Sequence, residues 1–348
     1  MIPETLTATA AALVCHGKGL LAMDESTSTC NARFAEAGIP ETESARRAYR
    51  ELLVMAPGLG TYVSGAILFD ETIRQSDRNG TRFVDRLLAS GVIPGIKVDL
   101  GAKDLALHPG EKVTEGLDGL RARLQDYAQM GARFAKWRAV VGIRGGLPTR
   151  GCIAANAQAL ARYAALCQEV GLVPVVEPEV LMDGCHTLQR CGEVTHAVLR
   201  AVFEALDAQR VILETIILKP NMVLSGLDCS EQDTVDAVAE ATLACLQRTV
   251  PAAVAGVAFL SGGQSPELAS ARLNAMHKHK SSDRSPWPLV FSYGRALQQP
   301  ALQIWRGEEA NVAAAQRALL HRARCNGAAI HGAYETSMEN GLALQLAS

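Results

Sequence analysis

Apolar and polar positions alternate along the 348 residues in a repeating cycle. A short run rich in β-branched and other apolar residues ends in a polar or charged residue, and an Ala-rich segment with apolar positions at helical spacing follows. Eight such runs occur, at 19–24, 65–70, 92–99, 134–141, 172–179, 211–219, 254–261 and 289–293. Runs of this length bounded by Gly and Pro predict strands buried on both faces, as in a parallel sheet. The segments between them predict helices. Residues 42–55 carry Ala45, Ala48, Leu52 and Met55 at helical spacing, with Thr42 and Glu43 as a capping start. Segments 114–130 and 156–170 show the same period, and Gly131 and Gly171 follow them as helix stops. Segments 193–206, 231–249, 266–277 and 310–325 continue the alternation.

Eight strand–helix alternations predict an α/β chain folded as a single (β/α)8 barrel, the TIM-barrel architecture. The competing open, doubly wound sheet needs a topological switch and usually about six strands. No Pro/Ser linker divides the chain, so residues 1–348 read as one domain, with an irregular tail from about 331. An apolar fraction of 48% with 20% charged residues is ample for a core. Lys and Arg number 34 against 36 Asp and Glu, which leaves no general polyanion-binding character and argues against nucleic acid as a partner. The nine cysteines are scattered, odd in number and without a C-x-x-C pair. They read as free thiols in a reducing compartment, not as a disulfide framework or a zinc ribbon. The start of the chain lacks a signal-peptide pattern. The longest uncharged apolar stretch, near 252–260, falls short of the roughly 20 residues that span a bilayer. A cytoplasmic protein with no membrane partner is expected.

In a barrel of this type the chemistry lies at the C-terminal strand ends. Those ends carry Asp24, Lys97, Lys136 with Arg138, Glu177 with Glu179, and Lys219. Strand side chains two apart share a face, so Lys136 goes with Arg138 and Glu177 with Glu179. Four cations and three anions converging on an apolar barrel are costly unless they pair and serve a purpose. Any one of them could instead face helices or solvent, but together they interrupt otherwise apolar strands. In Ile217-Leu218-Lys219-Pro220-Asn221 the lysine directly follows a buried run. Burial and the neighbouring Lys136 and Arg138 would disfavour its ammonium form, and a neutral lysine is a nucleophile that forms Schiff bases with carbonyls.

The last two strand ends, Ser261-Gly262-Gly263 and Ser292-Tyr293-Gly294-Arg295, suit a second task. Loops after the seventh and eighth strands of these barrels commonly bind phosphate. Gly262 and Gly263 let backbone N–H groups approach an anion, and Arg295 adds a guanidinium fork that matches phosphate oxygens. A lysine nucleophile, an acid/base set and a phosphate cradle together imply Schiff-base chemistry on a phosphorylated carbonyl compound. Residues 17–22 nominally fit G-x-G-x-x-A but precede a strand, so no dinucleotide is expected. The histidines form no H-x-x-x-H or H-E-x-x-H pair, and no metal site or other cofactor is expected.

At these strand ends the chain resembles class I fructose-bisphosphate aldolase. The stretches that carry the likeness are 17–27 (GKGLLAMDEST), 95–99 (GIKVD), 134–138 (FAKWR), 173–179 (VPVVEPE), 218–223 (LKPNMV), 259–264 (FLSGGQ) and 291–297 (FSYGRAL). They occur in family order and span about residues 5–335. The resemblance implies reversible, metal-independent cleavage of fructose 1,6-bisphosphate to dihydroxyacetone phosphate and glyceraldehyde 3-phosphate, in glycolysis and gluconeogenesis. It gives Lys219 the iminium, Glu177 the proton transfers of carbinolamine formation and dehydration, and Lys136 an assisting positive charge. Asp24 takes the hydroxyl proton that triggers carbon–carbon cleavage. Glu179, Lys97 and Arg138 form a supporting network. Ser261, Gly262, Gly263, Ser292, Gly294 and Arg295 hold one phosphate of the sugar; Ser26, Thr29 and Arg33, with Arg46, hold the other.

The resemblance further implies a homo-oligomer, a tetramer, whose partners are small sugar phosphates. The chain departs from the family at Ala32, where a lysine is frequent, and this favours competition by monophosphate ketoses. It also ends in Leu344-Gln345-Leu346-Ala347-Ser348, where many animal members carry a final tyrosine, so enamine protonation is expected to be slower or to use another donor. The alternatives at this stage are a Schiff-base aldolase for another sugar phosphate, an inactive binding protein on the same fold, and a metal-dependent aldolase.

Overall fold

The apolar runs pair with one another in chain order. In a computed structural model, which describes residues 4–15, 17–279 and 285–340, eight strands close into a barrel. They are β1 (Gly19–Ala22), β2 (Val63–Leu68), β3 (Ile93–Lys97), β4 (Phe134–Val141), β5 (Val173–Val180), β6 (Ile217–Leu218), β7 (Gly256–Phe259) and β8 (Leu289–Tyr293). Every neighbouring pair is parallel, and β8 returns to β1. The interior is filled by side chains. A Cβ on Gly95 would lie 2.3 Å from the Phe134 ring, so only glycine leaves room for that ring. Helix Glu4–Leu13 and the residue after it close the opposite end from the charges: Val14 sits where a Cβ on Gly256 would come within 2.7 Å of it.

The predicted helices are present with shifted ends. Thr42 caps Glu43–Val54 by accepting from Ala45 N, and Gly131, at φ 112°, ends Leu120–Met130. Arg150–Glu169 starts earlier than the apolar period, because Thr149 caps it and is itself fixed by Glu111. Among the described residues, five helices escape the period count: Glu4–Leu13, Thr27–Ala37, the short Asp70–Ile73, Phe83–Ala89 and Arg295–Trp305. Two of them, Thr27–Ala37 and Arg295–Trp305, border the site.

Three expectations need correction. The run 211–219 yields only the two-residue strand Ile217–Leu218, preceded by a 3-10 turn at Leu213–Thr215. The Gln168 side chain takes the Ile212 backbone N–H and carbonyl and bonds the Thr215 hydroxyl, so this backbone is satisfied by a side chain and not by a strand. Asp70 does not end β2; it opens the short helix Asp70–Ile73. The segment 114–119 is not helical. Ala102–Asp104 and Lys112–Thr114 form an antiparallel hairpin, which Asn156 pins through the Lys112 carbonyl at 2.8 Å and the Thr114 N–H at 3.2 Å. Beyond Ile330 the chain makes a turn and a 3-10 segment, Thr336–Glu339. The last part of the expected tail, 341–348, lies outside the described residues.

Candidate active site

The strand ends surround a cavity of about 1000 Å³, and all seven predicted charges line it. Lys97 is the last residue of β3; Lys136 and Arg138 lie in β4, and Glu177 and Glu179 in β5. Asp24 stands two residues past β1, and Lys219 directly follows β6. Period-two alternation aims both members of each pair at the cavity, as expected.

The innermost four groups form a chain of alternating charge. Lys136 Nζ donates to Asp24 Oδ2 at 2.8 Å and lies 2.8 Å from Glu177 Oε2. The second contact is an ion pair without hydrogen-bond alignment, so the directed bond of Lys136 goes to Asp24. The other Glu177 oxygen, Oε1, lies 3.1 Å from Lys219 Nζ. None of the four is more than 8% exposed. Burial alone would raise the Asp24 carboxyl, but Lys136 first, then Lys219 and Lys97, hold it well below the usual carboxylate range. Glu177 is likewise held low against burial by Lys136, Lys219 and Arg138. Burial opposes the Lys136 ammonium, yet Asp24, Glu177 and Asp99 push its pKa far up. Lys136 is a fixed cation.

Beside the expected cations Lys136 and Arg138, Lys219 meets a carboxylate. Its ionic contact is Glu177, and Lys136 occupies the far side of that carboxylate. Arg138 is turned away, with Nε paired to Glu179 Oε2. Asp99, not among the predicted site residues, links the outer group: it receives Lys97 at 2.7 Å and the Arg138 backbone N–H at 3.2 Å. The signal was present in Lys97-Val98-Asp99, whose two charges share a strand face.

At the β7 and β8 ends, Ser261, Gly262, Gly263, Ser292, Gly294 and Arg295 all line the cavity. Gly262 and Gly263 adopt φ of 59° and 103°, the left-handed region that favours glycine. A Cβ on Gly263 would lie 3.1 Å from Arg295 Nη2, so the bare backbone lets the guanidinium lie close over the loop. No described carboxylate pairs with Arg295, and the buried Ser292 Oγ has no partner among the described residues. Arg295 also opens a helix whose free N–H groups favour an anion.

Across the cavity, Ser26 caps helix Thr27–Ala37 by accepting from Thr29 N, and its hydroxyl lies 3.0 Å from that of Thr29. Arg33 lines the cavity but donates to Glu25 Oε1 at 2.5 Å. Glu25, another residue missed in the sequence, also accepts from Arg50 at 2.9 Å and Gln298 at 3.0 Å. Arg46 does not line the cavity. Its guanidinium is clasped by Glu71 at 2.8 and 2.7 Å and donates to Asn31 at 2.9 Å, which is the geometry of a structural ion pair.

The sequence profile described as Fructose-bisphosphate aldolase class-I matches residues 5–346. The chain belongs to the class I fructose-bisphosphate aldolase family. It is 56% identical over 333 residues to a protein of Xanthomonas axonopodis pv. citri named "Probable fructose-bisphosphate aldolase class 1", covering 95% of this chain and 99% of that one. It is 51% identical over 336 residues to "Fructose-bisphosphate aldolase 4, cytosolic" of Arabidopsis thaliana, covering 97% and 85%. Its fold matches a fructose-bisphosphate aldolase of Plasmodium falciparum, solved with TRAP and a small-molecule inhibitor, with a TM-score of 0.93, 48% identity and 95% of both chains covered.

As a class I aldolase the chain is a lyase that cleaves fructose 1,6-bisphosphate reversibly through a lysine Schiff base. Among the described residues, no helix of this aldolase is long and apolar enough to cross a membrane.

Proposed function

We propose that Lys219 is the Schiff-base lysine and that the buried chain Asp24–Lys136–Glu177–Lys219 performs the proton transfers of aldol cleavage. The observation that carries this reading is the placing of Glu177 between two lysines. One carboxylate oxygen faces Lys219 at 3.1 Å and can take its proton; the other faces Lys136, which cannot readily give one up. The Lys219 amine adds to the ketose carbonyl, and Glu177 returns the proton as the carbinolamine loses water. Asp24, ionised at neutral pH, accepts the hydroxyl proton of the sugar. The carbon–carbon bond then breaks, its electron pair enters the iminium, and an enamine remains in place of a carbanion. Asp24 can accept because Lys136, Lys219 and Lys97 favour its anion.

One phosphate sits at Ser261, Gly262, Gly263, Ser292, Gly294 and Arg295, where a phosphate oxygen would satisfy the Ser292 hydroxyl. The other sits at Ser26, Thr29 and Arg33. Arg46 takes no part, since Glu71 already holds it. The enzyme works in the cytosol as a homotetramer, in line with the resemblance and with its cytosolic plant relatives.

Borohydride trapping with dihydroxyacetone phosphate in the presence of chelator tests the central assignment. Peptide mapping is expected to find one reduced adduct, on Lys219. An adduct on Lys136 or Lys97 would reassign the roles, and no adduct on folded protein would remove the Schiff base. Sedimentation equilibrium reads the subunit count directly.

A further inference from the structure

A second cluster of reactive side chains lies away from the cavity, under the C-terminal segment. Helix Val312–Ile330 presents His321 and Cys325 one turn apart, both buried. The 3-10 segment Thr336–Glu339 folds back and adds Glu339. One donor atom from each lies within 4.8 Å of the others. His321 Nε2 is 3.6 Å from Cys325 Sγ and 3.7 Å from Glu339 Oε2.

We propose that His321, Cys325 and Glu339 form a binding site for a zinc-like divalent cation that fastens the C-terminal segment to the last helix. A zinc ion bound tetrahedrally at about 2.0–2.3 Å from nitrogen, sulfur and oxygen holds its ligand atoms roughly 3.3–3.6 Å apart. The Nε2–Sγ separation of 3.6 Å matches that spacing, and the Nε2–Oε2 separation of 3.7 Å lies just beyond it. Imidazole, thiolate and carboxylate are the donor set zinc prefers, with a fourth position left to water.

The surroundings orient the carboxylate. Tyr334 donates its hydroxyl to Glu339 Oε1 at 2.7 Å, and Arg322 pairs with Oε2, so the carboxylate is fixed as outer neighbours fix metal ligands. Oε2 keeps a lone pair for the metal. Both polar neighbours of the His321 ring, Cys325 and Glu339, meet it at Nε2, the nitrogen that would bind, while the buried Nδ1 has no partner among the described residues to orient the ring. On binding, the Sγ–H bond of Cys325 breaks, its electron pair goes to the metal, and the proton passes to water.

No search for histidine pairs or C-x-x-C finds this site. Its motif is H-x-x-x-C on one helix, completed by a carboxylate 14 residues beyond Cys325 that only the fold brings near. It lies outside the chemistry assigned to Lys219, and cleavage of the sugar does not depend on it.

The test is titration of chelator-stripped, full-length protein with cobalt(II), followed by displacement with zinc. The expected result is a thiolate-to-cobalt charge-transfer band that saturates at one cobalt per chain and disappears as zinc is added. Cys325→Ser should abolish the band, and Glu339→Gln, at a partly exposed position, should weaken binding at least about tenfold. Absence of the band in the wild-type protein overturns the proposal without recourse to any variant. A band that persists in Cys325→Ser overturns it too, since the thiolate would then be another of the nine cysteines. Unchanged affinity in Glu339→Gln removes the carboxylate and with it the fastening of the segment.

Discussion

At the β7–β8 end of the cavity, Arg295 faces no described carboxylate and Ser292 Oγ is buried without a described partner. At the β1 end, Arg33 is already clasped by Glu25, which Arg50 and Gln298 also hold. Ala32 and the acidic Glu36 line the same side. An anion at the first end meets donors that are preorganised and unclaimed. At the second it must draw Arg33 from a partner. Counting arginines would rate the two ends alike; their partners make them different. The electrostatic worth of a cation to a ligand depends on what it gives up to bind.

The strongest way to break this picture is at its centre. Lys136→Met leaves Asp24 and Glu177 buried without the cation that most favours their charge. Removing one partner of a buried ion pair costs about 3–5 kcal/mol. Thermal unfolding should fall accordingly, and kcat should drop by about 10²–10⁴-fold, the range of general acid–base catalysis. The pH profile adds a readout that lost stability alone does not move. In the wild-type protein the depressed carboxyls contribute stability that is present above their ordinary values of 3.8 and 4.5 and lost as pH falls through the lower folded values. The raised Lys136 contributes stability that is present below its ordinary 10.5 and lost only as pH rises through its higher folded value. In Lys136→Met the acid limb of activity should move to higher pH. An unmoved limb would mean that Lys136 does not set these carboxyls.

Next in size is Arg295→Ala, which removes charge-assisted hydrogen bonds to phosphate. With the C1 phosphate of the sugar placed at this end, KM should rise about 10–100-fold for fructose 1,6-bisphosphate and for fructose 1-phosphate alike. A rise for the bisphosphate alone would exchange the two phosphate positions. Arg33→Ala should have a smaller effect, under about tenfold, and only on the bisphosphate, because the lost contact was already shared with Glu25. Equal effects from the two arginines would erase the contrast between the ends. Smallest of all, Ala32→Lys should lower the bisphosphate KM by about two- to fivefold and leave the monophosphate unchanged. Steady-state comparison of the two sugars reads all three variants.

The resemblance and the strand-end pattern together pointed to all six β7–β8 phosphate residues, and each of them lines the cavity. Asp99 and Glu25 stayed hidden, although both sit inside stretches that carry the resemblance. A strand-end carboxylate reads the same in sequence whether it faces solvent or bridges two cations. Arg46 shows the reverse. It falls near Arg33 in sequence, but Glu71, in the short helix Asp70–Ile73, claims it. The hairpin at 102–114 was missed for a similar reason: its register is pinned by Asn156 on a later helix, and no local period announces it.

The sequence by itself determined the barrel, because eight apolar runs followed by amphipathic segments allow few other ways to bury both faces of a parallel sheet. It also determined which charges stand at the strand ends, since period-two alternation sets their faces. Only the tertiary structure decided which charge neutralises which. Lys219 meets Glu177, Arg33 is engaged while Arg295 is open, and Glu339 arrives beside His321 and Cys325. These pairings join side chains 8 to 42 residues apart in the chain across distances of 2.5–3.7 Å. Coulomb and hydrogen-bond energies at that range turn on fractions of an ångström, which a one-dimensional pattern does not carry.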